Sequence, residues 1–339
     1  MRWRATLPKL AAIAAGALAL AGCAGNKELP MTTLAPKSDL ARWIYNLFLE
    51  VTAWDALVMA VVLVSFFLAI FFFSTRVGEA TPPSATTSNL KLEIAWTVVP
   101  ALILLMITVP TVRLIFRSQP AVASKGSLQI EVVAHQWWWE FDYPDGMKTA
   151  NELHLPVGRE VRLNLRSADI IHSFWVPALG GKRDVIPGQI NELTLIANVP
   201  GEYYGQCAEF CGLSHANMRF RVFVQKDPQF AMWMKHQLAP PVASAADTGP
   251  AAEGAKLFAD SECTACHSIT GVSKGYIGPN LTHFGSRTTL AAGVLKNTPA
   301  NVKKWIIDPE TIKPGAHMPA LVESGPQLND LVAYLESLK

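Results

Sequence analysis

Within residues 207–218, Cys-Ala-Glu-Phe-Cys-Gly-Leu-Ser-His-Ala-Asn-Met, two thiols, an imidazole and a thioether share one short loop. Such a set suits a soft metal: thiolate and thioether select copper, zinc or iron–sulfur, and the imidazole keeps copper and zinc in contention. Met218 turns the choice to copper, because zinc and iron–sulfur sites rarely recruit a thioether, whereas copper electron-transfer sites commonly carry a weak Met ligand. In an exported chain, a disulfide between Cys207 and Cys211 is the alternative. A second redox constellation is Cys263-Thr264-Ala265-Cys266-His267, the C-x-x-C-H arrangement of covalent heme c attachment. There the two thiols add to the porphyrin vinyls and the adjacent imidazole is placed to ligate iron. A thioredoxin-like dithiol is the rival, but it would ask for a βαβ pattern that the flanking sequence lacks. His135, His154, His236 and His283 have no second partner at ligand spacing and read as structural or surface residues.

These groups must be positioned by several kinds of element. The chain has 339 residues, half of them hydrophobic, with 29 Lys and Arg against 27 Asp and Glu. That length suits two or three domains, the hydrophobicity points to membrane segments, and the near-neutral balance asks for no nucleic-acid partner. Residues 1–22 read as a signal peptide: a basic start with Arg2, Arg4 and Lys9, an apolar run over 10–20, then Leu20-Ala21-Gly22-Cys23. Two apolar runs, about 54–74 and 94–115, are each long enough to span a bilayer as a helix, with Pro100 and Pro110 kinking the second. The polar connection holding Arg76, Pro82, Pro83 and Lys91 makes them a hairpin, and an exported N-terminus then puts everything after about residue 118 outside the cytoplasmic membrane. From 128 to 224 the hydrophobic period is two, as in Leu128, Ile130, Val132 and in Phe220, Val222, Val224, with turn signals such as Pro144-Asp145-Gly146 between runs. This predicts an antiparallel Greek-key sandwich or barrel with the metal loop between its last two strands. Residues 230–238 suit a short helix, and the Pro/Ala-rich stretch 238–251 is a linker without periodicity.

A further ligand must come from outside the loop, and His172 in Asp169-Ile-Ile-His-Ser-Phe-Trp-Val-Pro177 follows a strand and precedes a turn. Together with Ala134-His-Gln-Trp-Trp-Trp139, Asp184-Val-Ile-Pro-Gly188 and the C-x3-C-x3-H-x2-M core, this block resembles subunit II of the heme-copper cytochrome c oxidases from the hairpin to about Val224. The resemblance implies a cupredoxin-like domain, 118–237, carrying the binuclear CuA centre. Cys207 and Cys211 would bridge two coppers, one also held by His172 and Met218, the other by His215 and the backbone carbonyl of Glu209. It further implies a magnesium ion on the Glu209 side chain shared with subunit I, electron entrance through Trp137, and a proton-pathway carboxylate at Glu93. For Trp137 the alternative is strand packing, and for Glu93 a helix-end charge. The Cys23 context also resembles a bacterial lipobox, which would put a lipid on that thiol; an ordinary signal peptide with an incidental Cys is the other reading.

Residues 252–339 resemble an all-α class I cytochrome c. Gly254-Ala-Lys-Leu-Phe258 would open its first helix, and 328–338 would close it with Leu331, Tyr334, Leu335 and Leu338 on one face. Pro279 matches the position whose carbonyl orients the proximal His267, and Met318 matches the sixth ligand, with His317 as competitor. The whole chain thus resembles a caa-type oxidase subunit II in the bacterial inner membrane, multi-pass, with both redox domains periplasmic. It would pass electrons from heme c to CuA and on to subunit I, where oxygen is reduced outside this chain. Subunits I and III, membrane lipid, and a cytochrome c or quinol–cytochrome c reductase donor are the implied partners. A CuA-containing nitric-oxide or nitrous-oxide reductase component and a non-enzymatic copper-binding protein are the alternatives. The linker predicts a tethered heme domain that meets the copper domain by repeated collision.

Overall fold

The computed structural model describes residues 29–72, 88–119, 124–241, 248–321 and 324–339. The expected signal segment 1–22, the expected lipidation site Cys23, and most of the hairpin connection and the linker lie outside these described residues.

Two helices open the described chain, α1 (Asp39–Phe72) and α2 (Leu90–Arg117), both long and apolar enough to cross a membrane. Helix α1 starts some fifteen residues before the apolar run because its first turn is fastened elsewhere. Ser38 Oγ donates to the Leu179 carbonyl (2.5 Å), and Asp39 accepts from the Ile196 amide (2.8 Å). Leu40 and Ala41 are buried there. The opposite end of the hairpin returns to the same place, since the Arg117 guanidinium lies 3.8 Å over the Trp43 ring and Arg183 donates to the Ser118 carbonyl (3.5 Å). Glu93, in the first turn of α2, accepts from the Asn89 amide (3.1 Å) while Asn89 accepts from the Leu92 amide (3.2 Å). That reciprocal pair satisfies two amides that the helix start would otherwise leave open.

The next segment builds two five-stranded sheets from β1 (Leu128–His135), β2 (Trp138–Asp142), β3 (Lys148–Ala150), β4 (Glu152–Pro156), β5 (Glu160–Ser167), β6 (His172–Trp175), β7 (Arg183–Val185), β8 (Asn191–Ile196), β9 (Gly201–Cys207) and β10 (Arg219–Gln225). Their orders are β3-β2-β1-β5-β8 and β4-β10-β9-β6-β7. The alternating residues fall inward as predicted: Ile130, Val132, Val161, Leu163, Leu165, Phe220 and Val222 are fully enclosed. The expectation of a purely antiparallel arrangement needs correction, because β1 pairs with β5, and β4 with β10, in parallel. The chain changes sheets between Ala150 and Glu152 and again after Pro156, so β5 re-enters beside β1 running the same way, as a crossover requires. Trp139 sits at the centre, edge-on to Phe174 at 5.5 Å and tilted against Phe220 at the same distance, and these rings tie one sheet to the other. Helix α3 (Asp227–Leu238) closes the open side, Trp233 stacking on His154 at 4.0 Å.

The helical unit begins at Pro250, two residues before the predicted boundary, with α4 (Pro250–Asp260), followed by α5 (Cys263–Cys266), α6 (Pro299–Ile307), α7 (Pro309–Ile312) and α8 (Pro326–Ser337). Two short two-stranded ladders lie between α5 and α6. Helix α8 buries Leu331, Tyr334 and Leu335, with Leu338 just beyond its end, the face read from the sequence. It crosses α4 at Gly254, where an added Cβ would stand 1.9 Å from the Asp330 carbonyl oxygen. Only a residue without a side chain permits that approach.

Candidate functional site

Strand β9 ends on Cys207 and β10 begins on Arg219, so the loop between them is pinned at both ends, the Cys207 amide donating to the Met218 carbonyl (2.9 Å). Antiparallel pairing of β6 with β9 puts Phe174 opposite Cys207 and brings His172 beside the loop from the neighbouring strand. The Cys207 and Cys211 sulfurs are 3.7 Å apart. A disulfide bond is about 2 Å long, so both are free thiols and the disulfide alternative is not realised. Cys207 Sγ lies 3.8 Å from His172 Nδ1 and 3.2 Å from the Glu209 carbonyl oxygen; Cys211 Sγ lies 3.5 Å from His215 Nδ1 and 3.8 Å from Met218 Sδ. The ligand atoms of His172, Cys207 and Cys211 all fall within 4.8 Å of one another. His172, Cys207, Cys211 and Met218 are buried, His215 is half-buried, and the Glu209 side chain is exposed.

Electrostatics prepares this cluster for cations. The hydrogen bond with Cys211 is the largest cause holding Cys207 down to about 3, with His172 helping against burial; the same contact, then burial, pushes Cys211 up. One proton leaves readily and the second is held, as expected for adjacent thiols that share a charge. Burial works against protonating His172, but Asp169 and Cys207 together raise its pKa overall. Sequence spacing assigns Asp169 no role, although it stands three residues before His172. Its Oδ1 meets His172 Nε2 at 2.7 Å, fixing the ring with Nδ1 toward the sulfurs, and its Oδ2 accepts from the Gln136 amide (2.5 Å). Metal-ligating imidazoles are commonly oriented by such a carboxylate. Two soft sulfurs, a thioether and two imidazoles in a largely buried pocket fit a copper centre.

Trp137 packs over this loop, its indole Nε1 donating to the Cys211 carbonyl (2.7 Å), which also accepts from Gln136 Nε2 (2.9 Å).

In the helical unit, Cys263 and Cys266 sit one turn apart on α5, both free and partly buried, with His267 next. His267 Nδ1 is 2.8 Å from the Pro279 carbonyl, which can only accept, so the proton is on Nδ1 and Nε2 keeps its lone pair. Burial lowers the His267 pKa, favouring the neutral imidazole that binds metals. Gly278 leaves the ring its room, since a Cβ there would stand 2.7 Å from His267 Cε1. Met318 packs against the helical core, whereas the ring of exposed His317 turns toward Trp137, 5.6 Å between centroids. The donor set and the cleared ring fit covalently attached heme with His and Met ligands.

Of the histidines read as uninvolved, His135 stacks on Trp138 at 4.2 Å and His154 bonds Gln225. His236 and His283, read as structural or surface residues without a partner at ligand spacing in the sequence, face each other at 5.0 Å. That pair escaped the sequence because its members belong to different folding units, 47 positions apart in the chain.

The sequence matches the family described as cytochrome C oxidase subunit II, transmembrane domain, over residues 38–114, and its periplasmic domain over 146–225. Residues 251–339 match cytochrome c. The chain is 37% identical over 332 residues to cytochrome c oxidase subunit 2 of Alkalihalophilus pseudofirmus, covering 95% of this chain and 94% of that one. To the subunit of the same name from Bacillus subtilis it is 36% identical over 349 residues, covering 95% of each. Among solved structures it is similar to the periplasmic domain of subunit II of cytochrome oxidase from Bradyrhizobium japonicum, at 35% identity, covering 34% of this chain and 95% of that one, with TM-score 0.32.

Proposed function

Because the chain belongs to the cytochrome c oxidase subunit II family, with a cytochrome c domain fused at its C-terminal end, we propose that His172, Cys207, the Glu209 carbonyl, Cys211, His215 and Met218 are its CuA ligands. On the same reading, Cys263 and Cys266 attach the heme, His267 and Met318 are its axial ligands, and Pro279 fixes the proximal ring. The observation that carries this is the convergence of two free thiols, two imidazoles and a thioether in one pinned loop and its neighbouring strand.

The protein serves electron transfer to CuA as a subunit of a heme-copper oxidase. When bound, the copper pair and the heme each supply reversible one-electron chemistry. The chain's own residues make that fast by not moving. Cys207 and Met218 are held by the strand ends, His172 by Asp169, and His267 by Pro279. A pocket whose donors are fixed and largely buried has little to rearrange when the charge changes. Trp137 is the electron entrance, a role supported by its bond to the Cys211 carbonyl and its contact with the loop that carries Met318. The exposed Glu209 carboxylate, flanked by exposed Phe210 and Leu213, is the group that holds magnesium against subunit I.

Membrane anchoring rests on the two apolar helices. The multi-pass arrangement, with both redox units on the periplasmic side of a bacterial inner membrane, is supported by the start of α1 and the end of α2 both abutting the β-sandwich. The domain limits are those of the sequence reading, 1–22, 23–117, 118–237, 238–251 and 252–339, except that the first helix of the last unit opens two residues earlier, at Pro250. Glu93 is the proton-pathway carboxylate, a role compatible with its capping bond to Asn89, and Cys23 carries a lipid. Subunits I and III are the partners, and a cytochrome c or a quinol–cytochrome c reductase is the donor.

Metal analysis and paramagnetic spectra of the purified full chain with its partner subunits test the reading. Two coppers per heme c beyond the one that the heme-copper partner subunit contributes, with a delocalised copper signal, are expected. Cys211→Ser removes the delocalised copper signal and spares the heme; Met318→Ala abolishes the Met-ligated heme signature and leaves the copper signal intact. One copper per chain, or a disulfide between residues 207 and 211, would overturn it.

A further inference from the structure

The heme-bearing unit does not hang free: polar groups on one side of the boundary meet complementary groups on the other at several separate points. The buried Glu152 carboxylate, at the start of β4, accepts from the Thr288 amide (2.8 Å), the Thr288 hydroxyl (2.6 Å) and the Thr289 amide (3.1 Å) through a single oxygen. Beside it, Ala291, Ala292 and Gly293 are consecutively left-handed, at φ 54°, 59° and 76°. Alanine rarely adopts that conformation, and such strain persists only where the surroundings demand it. The turn directs the Ala292 carbonyl to the Arg219 amide (3.1 Å) and the Gly293 carbonyl to Arg221 (3.5 Å). Further along, the Ser214 hydroxyl donates to the Pro314 carbonyl (2.6 Å), and the buried Lys313 ammonium donates to the Trp137 carbonyl and to Ala291 (3.4 Å). Gly315, left-handed at φ 81°, lies against the Trp137 ring so closely that a Cβ would come within 2.7 Å of it.

Burying an ammonium and a carboxylate is costly unless both are bonded, and here each is bonded across the boundary. We propose that Glu152 and Lys313 are positioning residues of a built latch that holds the cytochrome domain on the copper domain, fixing the Met318 loop against Trp137. The linker then serves as a connection rather than a swing arm. This replaces the expectation of repeated tethered collision and rests on the functional reading above. Sequence could not show it, because 136 and 176 positions separate the paired residues.

The test uses the full chain in its membrane-bound oxidase, with a protease site inserted between residues 241 and 248. After cleavage and washing, heme c remaining on the membranes is measured optically, alongside the copper spectrum. The wild-type domain is expected to stay. Glu152→Ala and Lys313→Met should each release it roughly 30-fold faster or more, the effect of stripping one side of a buried charged contact. Glu152→Gln, whose amide oxygen still accepts, should restore most of the retention, which a general packing defect would not allow. Thr288→Val, at an exposed position, supplies a second disruption should a buried variant fail to fold. In uncut protein, heme-to-copper electron transfer should be insensitive to viscosity in the wild type and become slower and viscosity-dependent in the variants, with both optical spectra unchanged. Release of the cut wild-type domain as fast as from the variants would overturn the latch. Absence of either spectrum from the wild type would instead strike the functional reading.

Discussion

The indole nitrogen of Trp137 donates a 2.7 Å hydrogen bond to the backbone carbonyl of Cys211. The same ring meets the Met318 loop at Gly315, so one side chain touches both redox units. Trp137→Phe keeps an aromatic face but removes the donor. It is expected to slow heme-to-copper electron transfer in time-resolved absorption, leave the copper signal in place, and cost about 1 kcal/mol of stability, the net worth of one hydrogen bond.

Asp169 orients His172 by a 2.7 Å contact to Nε2. Asp169→Asn retains the shape but replaces a charged acceptor with a weaker neutral one. Copper affinity should fall roughly 10–100-fold, as measured by competition with a chelator, and the visible copper bands should shift. Unchanged affinity and spectrum would mean that the strand alone positions the ring.

Gly254→Ala places a methyl group 1.9 Å from the Asp330 carbonyl oxygen on α8. Backbone cannot yield as a flexible side chain does, so the two helices must separate. A loss of about 1–3 kcal/mol or more is expected in thermal unfolding followed at the heme band, with copper unaffected.

His154 is buried against Trp233, and burial pulls its pKa down to about 4, partly offset by the bond to Gln225. In the unfolded chain a histidine titrates near 6.5. Between those values the unfolded state binds the extra proton, so stability is full above about pH 6.5 and declines as pH falls toward 4. The decline attributable to this group is up to about 3 kcal/mol at 1.36 kcal/mol per unit. Denaturant titrations of the full chain should show a shallower acid slope for His154→Gln.

Much of this molecule is legible from order alone. Ligands close in sequence, such as Cys207 with Cys211 or Cys263 with His267, share one loop or one helical turn, so their spacing already constrains their geometry. Hydrophobic period likewise marked the inward residues of β1, β5 and β10, because a strand turns alternate side chains to opposite faces. It could not mark strand direction: the parallel pairing of β1 with β5 depends on which sheet the chain enters after Pro156, and periodicity is blind to that.

Short-range spacing therefore marked the 207–218 loop, the C-x-x-C-H motif and the apolar runs, and the family resemblance supplied the rest of each ligand set. Tertiary structure alone decided that Asp169 orients His172, that His317 packs toward Trp137, and that Glu152 and Lys313 join two units across a linker. The physical reason is one of range. A loop or helical turn fixes distances over a few residues, whereas a carboxylate and a hydroxyl 136 positions apart meet only after two separate cores have formed and presented complementary faces.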